Sequence, residues 1–398
     1  MERWNQLPDE LLLYIFRFLK EVDLTNASCT CRKWRRLFHD SSLWRSGFFE
    51  FSGYYRSQAP RLQQRLSGYV NAMGKHLHHL HIACSSPNLI TAYNVAQGVR
   101  TLLVGISDLP GGRWTLKTFT LRHLNFDESW DSFRASKYVL ASSLTQFFQA
   151  QSALSSIDLK NAFMTPPFSY RFLRCLSTSR SRMTVTSLNL VNFFCCDTPS
   201  RFVSNHLMTA FRRCWQLREL SMNYMYLHAI GVETLCEALA DSLQLLRLTF
   251  YVLDQTHGGF IQTGEWFNAR VICPRLKVNL TVHCWPREPQ TLLVASLPLC
   301  ELVVKGRQCS RTSVSLSTRL TRLLDCLSRS CFQTLESATF SALGVSKLCP
   351  PSQESLSRFL GRCTHLKKLI FSDSLMTPTF MAKTKEHLAS TSLKGALL

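Results

Sequence analysis

The chain has 398 residues, with 46 Lys and Arg against 26 Asp and Glu, a formal net charge of +20. Hydrophobic residues make up 45% of it, normal for a globular protein and too rich for a disordered one; the shortage of carboxylates argues against chemistry built on clustered Asp and Glu. No apolar run approaches the roughly 18 residues of a membrane span, and Glu2, Arg3 and Asn5 stand where a secretory peptide would begin its apolar core, so an intracellular protein, cytoplasmic or nuclear or both, is expected.

From the N-terminus, Leu7-Pro8-Asp9-Glu10 reads as a helix start, because proline is tolerated in a first turn and early acids suit the helix dipole. Leu11, Leu12, Ile15, Phe16 and Leu19 then form a broad apolar face. Asp23 is expected to cap a second short helix carrying Leu24 and Ala27. A third segment, Cys31 to Leu37, sets Trp34 three residues before Leu37, and Ser41 or Ser42 is the expected cap of a last turn at Leu43 and Trp44. So small a bundle has more apolar surface than its own core can hide, and the surplus needs a partner.

The pattern Leu7-Pro8, Glu10, Ile15-Phe16, Leu19, Asp23-Leu24, Cys31-Arg32, Trp34, Leu37 and Leu43-Trp44 resembles the F-box, with Thr30 where that family usually has an aliphatic residue. The resemblance implies that Leu7, Pro8, Ile15, Leu19 and Leu24 lie on or near a surface docking the Skp adaptor and, through it, a cullin scaffold. It also implies that Trp34, Leu37 and Trp44 hold the helices together.

Beyond linker helices expected over residues 51–75, one pattern recurs: apolar, two residues, apolar, one residue, apolar. It runs through Leu77/Leu80/Ile82, Leu116/Phe119/Leu121, Leu154/Ile157/Leu159, Val185/Leu188/Leu190, Leu217/Leu220/Met222 and Leu243/Leu246/Leu248. It continues at Leu299/Leu302/Val304, Leu335/Ala338/Phe340 and Leu366/Leu369/Phe371, with a poorer copy through Leu276, Val278, Leu280 and Val282. Helix-like stretches such as Phe202 to Cys214, Gly231 to Leu239, Leu316 to Leu327 and Ser355 to Leu360 lie between copies. Strand followed by helix at this period resembles irregular leucine-rich repeats, here assigned to residues 76–398. The expected fold class is α/β: a three-helix F-box over 1–50, then a curved α/β solenoid of parallel strands and helices. The spacing also admits a non-solenoid α/β domain. The bend position that usually carries Asn or Cys holds Ser85, Leu124, Ala162, Phe193, Met225, Tyr251, Leu343 and Ser374, so the usual side-chain ladder is expected to be missing.

Side chains alternate along a strand. If Leu80 and Ile82 face the core, then His79 and His81 face outward, as do Arg122, Lys160, Asn189, Asn223, Arg247, Lys305 and Lys368 in later copies; these are the candidate target-binding residues. His79 and His81 without a nearby carboxylate or thiolate make a weak metal site, and no metal or other cofactor is expected. Sixteen Cys without a regular framework or a CxxC pair read as buried reduced thiols, and Gly111-Gly112 reads as a turn. No GxSxG, HExxH, Walker or dinucleotide-binding pattern occurs, so no catalysis is expected.

Residues 1–50 hold eight basic and seven acidic side chains, and the body therefore carries a net +19. The F-box resemblance implies a non-catalytic substrate receptor of a Skp–cullin–F-box ubiquitin ligase, holding a target protein on the repeats and promoting its ubiquitination and degradation. A basic solenoid binding nucleic acid or another polyanion is the alternative.

Overall fold

The computed structural model describes residues 4, 6–19, 21–51, 59–84, 88, 91–109, 116–126, 128–195, 201–251, 259–286, 288–306, 316–342 and 350–372. They fall into two units, Met1–Val185 and Thr186–Leu398. Ser85, Gly111, Gly112, Cys196, Leu343 and Ser374 lie outside the described residues.

The first unit opens with three helices, α1 (Asp9–Phe16), α2 (Glu21–Ser28) and α3 (Arg32–Phe38). Pro8 is the N-cap of α1, one position before the helix proper, and Asp9 and Glu10 fill the first turn. Helix α3 reaches back to that turn: Arg36 pairs with Asp9 at 2.6 Å, and the Lys33 ammonium donates to the Leu7 carbonyl at 2.6 Å. Asp23 caps nothing, because α2 begins two residues earlier and takes it into the helix. Helix α3 is capped by Cys31, whose Sγ accepts from the Trp34 N–H at 3.4 Å. The turn at Ser41–Leu43 is capped by Asp40 instead of a serine, its carboxylate accepting from the Ser42 N–H at 2.8 Å.

Leu12, Phe16, Leu24, Ala27, Leu37 and Trp44 form the core of this head, closed by Met73 and Tyr69. Each large side chain buried there contributes about 1.5–3 kcal/mol. Edge-on ring pairs add to this: Phe16–Trp34 at 5.3 Å, Phe38–Trp44 at 4.9 Å and Trp44–Tyr69 at 5.8 Å. The buried indole of Trp44 is satisfied by the Phe38 carbonyl at 2.6 Å. Trp34, Leu37 and Trp44 thus all lie in or against the core, Trp34 half-buried at its margin.

The unit continues through β1 (Ser46–Phe51), α4 (Ala59–Met73), β2 (His79–Cys84), α5 (Ala92–Asp108), β3 (Thr118–Arg122), α6 (Arg134–Ala150), β4 (Ser156–Asp158) and α7 (Pro166–Thr178). The strands pair in parallel and in chain order, β1 with β2, β2 with β3, β3 with β4. Strands β2 to β4 fall on the repeated apolar pattern. Strand β1 does not: it has no leading leucine, yet Phe49 stands opposite Ile82 and the fully buried Phe51 opposite Cys84. The sheet therefore starts inside the first fifty-one residues and not at residue 76.

The second unit holds β5 (Ser187–Asn189), α8 (Arg201–Arg213), β6 (Glu219–Asn223), α9 (Tyr224–Ile230), α10 (Val232–Ala238), β7 (Leu245–Phe250), α11 (Thr263–Ile272) and β8 (Lys277–Val282). It goes on through α12 (Pro289–Leu292), β9 (Leu299–Gly306), α13 (Leu316–Ser330), β10 (Ser337–Ala342), α14 (Pro350–Arg362) and β11 (Lys368–Ser372). Each strand from β5 onward pairs in parallel with the next. Gly231 joins α9 to α10 at φ +80°, where a side chain would be strained. The apolar triplets carry the core: Leu217, Leu220, Leu243, Leu246, Leu299, Leu302, Leu335 and Ala338 are all buried. Strand–helix alternation with parallel neighbours is the leucine-rich-repeat type of α/β array.

The bends after the strands correct one expectation. One asparagine link between neighbouring bends is present, shifted from the position where asparagine is sought. Asn125, Asn161 and Asn192 adopt positive φ of 46°, 59° and 52°, a conformation asparagine tolerates better than most residues. Asp158 accepts from the Lys160 N–H at 3.1 Å and Asn189 from the Val191 N–H at 3.2 Å. Asn223 accepts from the Asn192 N–H at 2.8 Å and donates back to the Asn192 side-chain oxygen at 2.9 Å.

Most described cysteines are buried, and none of the described ones is in a disulfide. Burial pushes the thiols of Cys84 and Cys363 up to about 12. No described helix is long and apolar enough to cross a membrane.

Candidate protein-docking surfaces

Helix α1 is apolar on two sides. Leu12 and Phe16 are buried in the head, while Leu11, Tyr14 and Ile15 are exposed, followed by Phe18, whose ring is 71% exposed and meets Tyr14 edge-on at 5.1 Å. Trp4 is also exposed. Large apolar side chains clustered in water mark a docking surface more often than chance exposure. Of the residues expected there, Pro8 and Ile15 are exposed, and Leu7 and Leu19 are half-buried, packed against the core at its rim. Leu24 is placed differently: it is 5% exposed, because α2 turns it into the cluster with Leu12 and Phe16, so it supports the surface from beneath. Leu11, Tyr14 and Phe18 were missing from the expected set. The signal for Leu11 and Tyr14 is the run of apolar residues from Leu11 to Phe16, too wide for one buried stripe; Phe18 follows it after Arg17.

The strand faces form the second surface. In the first unit, His79 and His81 are half-buried on β2, and His79 Nδ1 lies 2.8 Å from Thr118 Oγ1. Burial, with His79 and Arg122 nearby, pushes the His81 imidazole below its ordinary range and favours its neutral form. Arg122 pairs with Asp158 at 2.6 Å, and the same carboxylate holds the Lys160 N–H, so Arg122 and Lys160 are brought together around Asp158. Among the described residues no three His, Cys, Asp or Glu side chains cluster as metal ligands.

In the second unit, strand register brings Asn189, Arg247 and Lys368 onto one row: Asn189, Ser221, Arg247, Asn279, Glu301, Ser337, Lys368. Asn223 belongs to the neighbouring row at the bend, and Lys305 lies exposed farther along β9. Much of the charge is paired: Arg247 with Glu219 at 2.8 Å, and Glu336 with Lys277 at 2.8 Å and Lys367 at 2.5 Å. The hydrogen bonds from Lys277 and Lys367 lower the Glu336 carboxyl to about 2. Glu336 and Lys367 were absent from the expected set, since each stands one residue before its strand and meets its partner only through the sheet.

A three-helix head with an apolar outer face, followed by a strand–helix array, defines the class. Residues 4–50 match the model of the F-box-like family, and the chain carries an F-box-like domain at its N-terminus. Most of the chain is similar to proteins named F-box/LRR-repeat protein 21. The one from Bos taurus is 25% identical over 389 residues, covering 91% of this chain and 82% of the relative. The one from Mus musculus is 25% identical over 317 residues, covering 77% and 66%. A stretch of 48 residues is 46% identical to F-box/WD repeat-containing protein pof10 of Schizosaccharomyces pombe, 12% of this chain and 7% of that one.

Proposed function

We propose that this protein is the substrate receptor of a Skp–cullin–F-box ubiquitin ligase. Its head docks the Skp adaptor, and its strand faces hold a target protein for ubiquitination and degradation. The observation that carries the reading is the solvent-facing side of α1, where Leu11, Tyr14, Ile15 and Phe18 stand exposed on an F-box-like domain. Pro8, Leu7 and Leu19 border that side and complete the proposed adaptor contact, which brings the cullin scaffold with it. The receptor does no covalent chemistry; it raises the effective concentration of target beside a charged conjugating enzyme. The work is placed in the cytoplasm or nucleus.

The polyanion reading draws less support. Arg122, Arg247, Lys277, Arg358 and Lys367 are engaged with carboxylates of the same chain, which reduces the charge free to neutralise phosphates.

Co-purification of the full chain with the Skp adaptor tests the proposal. Leu11→Asp combined with Ile15→Asp is expected to abolish capture without unfolding the head, since both side chains face water. Undiminished capture by that double variant would falsify the proposed contact.

A further inference from the structure

Strand β1 ends the sheet of the first unit: among the described residues it is hydrogen-bonded to β2 alone. The Arg45 carbonyl accepts from the His79 N–H at 2.9 Å, so Arg45 and every second residue after it turn their backbone groups toward β2. The backbone groups of Ser46 and Phe48 therefore point the other way, along the outer edge. Two clefts border this edge. One of about 370 Å³ lies between head and strand, with Arg17, Leu43, Arg45 and Tyr69 in its wall. The other, about 160 Å³, lies between β1 and α4, against Leu62, Arg65, Leu66 and Tyr69. Phe48 and Phe49 line both, and the Phe48 ring is 67% exposed.

An edge strand with apolar walls is a template for another strand, and proteins usually cover or charge such an edge. Here the charge is of one predominant sign. Among the described residues the two clefts have three arginines in their walls, Arg17, Arg45 and Arg65, all exposed, against the one carboxylate of Glu50. Asp40 neighbours Arg17 and Arg45, but it is committed to the Ser42 N–H.

We propose that β1 accepts an additional strand, an extended acidic peptide segment of a partner protein. Its backbone pairs with the outer edge at Ser46 and Phe48. An apolar side chain opposite Phe48 packs on its exposed ring, and the peptide's carboxylates meet Arg17 and Arg45 at one end and Arg65 at the other. This goes beyond the receptor reading, because it adds a peptide on the sheet edge; the first cleft also takes in Leu19 of the proposed adaptor contact, so the two sites adjoin.

The probe is a labelled peptide of about six residues, the common strand length, alternating glutamate with valine and phenylalanine. Fluorescence anisotropy with the full chain is expected to show binding roughly tenfold tighter than that of the lysine-for-glutamate peptide. A loss of roughly tenfold is expected on N-methylation of alternate peptide amides, and the same for Arg45→Glu with Arg65→Glu. Equal binding of the lysine or N-methylated peptide, or no binding of the acidic one, would overturn the proposal. Adaptor capture by the same double arginine variant separates the two readings. A chain that captures adaptor but never the peptide removes this proposal alone, and the converse removes the receptor reading alone.

Discussion

Phe16, the last residue of α1, and Phe18, two residues beyond it, face opposite environments: the first is 1% exposed and the second 71%. The same chemistry therefore does two jobs. Phe16→Ala is expected to cost about 3–5 kcal/mol, because it empties the head core beside Leu12 and Trp34. Phe18→Asp should leave stability within about 0.5 kcal/mol of the parent while weakening adaptor capture at least several-fold. Thermal unfolding and quantitative pull-down of the two variants check the split. Equal loss of stability in both would show that Phe18 is part of the core.

The asparagine pair at the bend of the second unit makes a separate forecast. Asn223→Ala takes away the acceptor of the Asn192 N–H and the donor to its side chain, and should cost about 1–3 kcal/mol. Asn223→Asp keeps the acceptor and should recover part of that loss. If the alanine and aspartate variants unfold at the same temperature, the backbone hydrogen bond is not what matters.

The cysteines separate by accessibility. Cys29 is exposed on the head, whereas burial pushes Cys84 and Cys363 up to about 12, leaving almost no thiolate at neutral pH. Brief treatment of the native chain with iodoacetamide should label Cys29, with Cys84 and Cys363 reacting only after unfolding. Mass spectrometry of the digested chain reads this directly, and early labelling of Cys84 would contradict its burial.

What could be read before the structure follows the distance over which each interaction acts. Leu80 and Ile82, or Leu246 and Leu248, signal their strands locally, because alternation along a strand is a property of neighbouring residues. Strand β1 escaped that signal, since Gly47, Phe49 and Phe51 are defined as inward-facing only by their pairing with β2. The F-box resemblance places Leu24 on the docking side, but its burial depends on α2 packing against Leu12 and Phe16 of α1, a contact between helices that the local sequence does not show. The pairing of Glu219 with Arg247 links residues 28 positions apart, and only parallel strand register brings them together.

The longest-range of these contacts gives the pH dependence. Glu336 receives hydrogen bonds from Lys277 and Lys367, and its carboxyl is lowered from an ordinary 4.5 to about 2. A carboxyl whose folded value lies below its unfolded value stabilises the fold above the unfolded value and loses that contribution as pH falls toward the folded one. The contribution is thus complete above about 4.5 and disappears between there and about 2. All three side chains are partly or largely solvent-exposed, so the pairs are worth about 0.2–1 kcal/mol each at low salt, screened further as salt is added. Glu336→Gln should lower the urea midpoint modestly at pH 7 and leave a smaller acid-side decline than in the parent. Urea titrations of both chains from neutral to acid pH check this, and parallel midpoint curves across the acid range would show that Glu336 is not linked to folding.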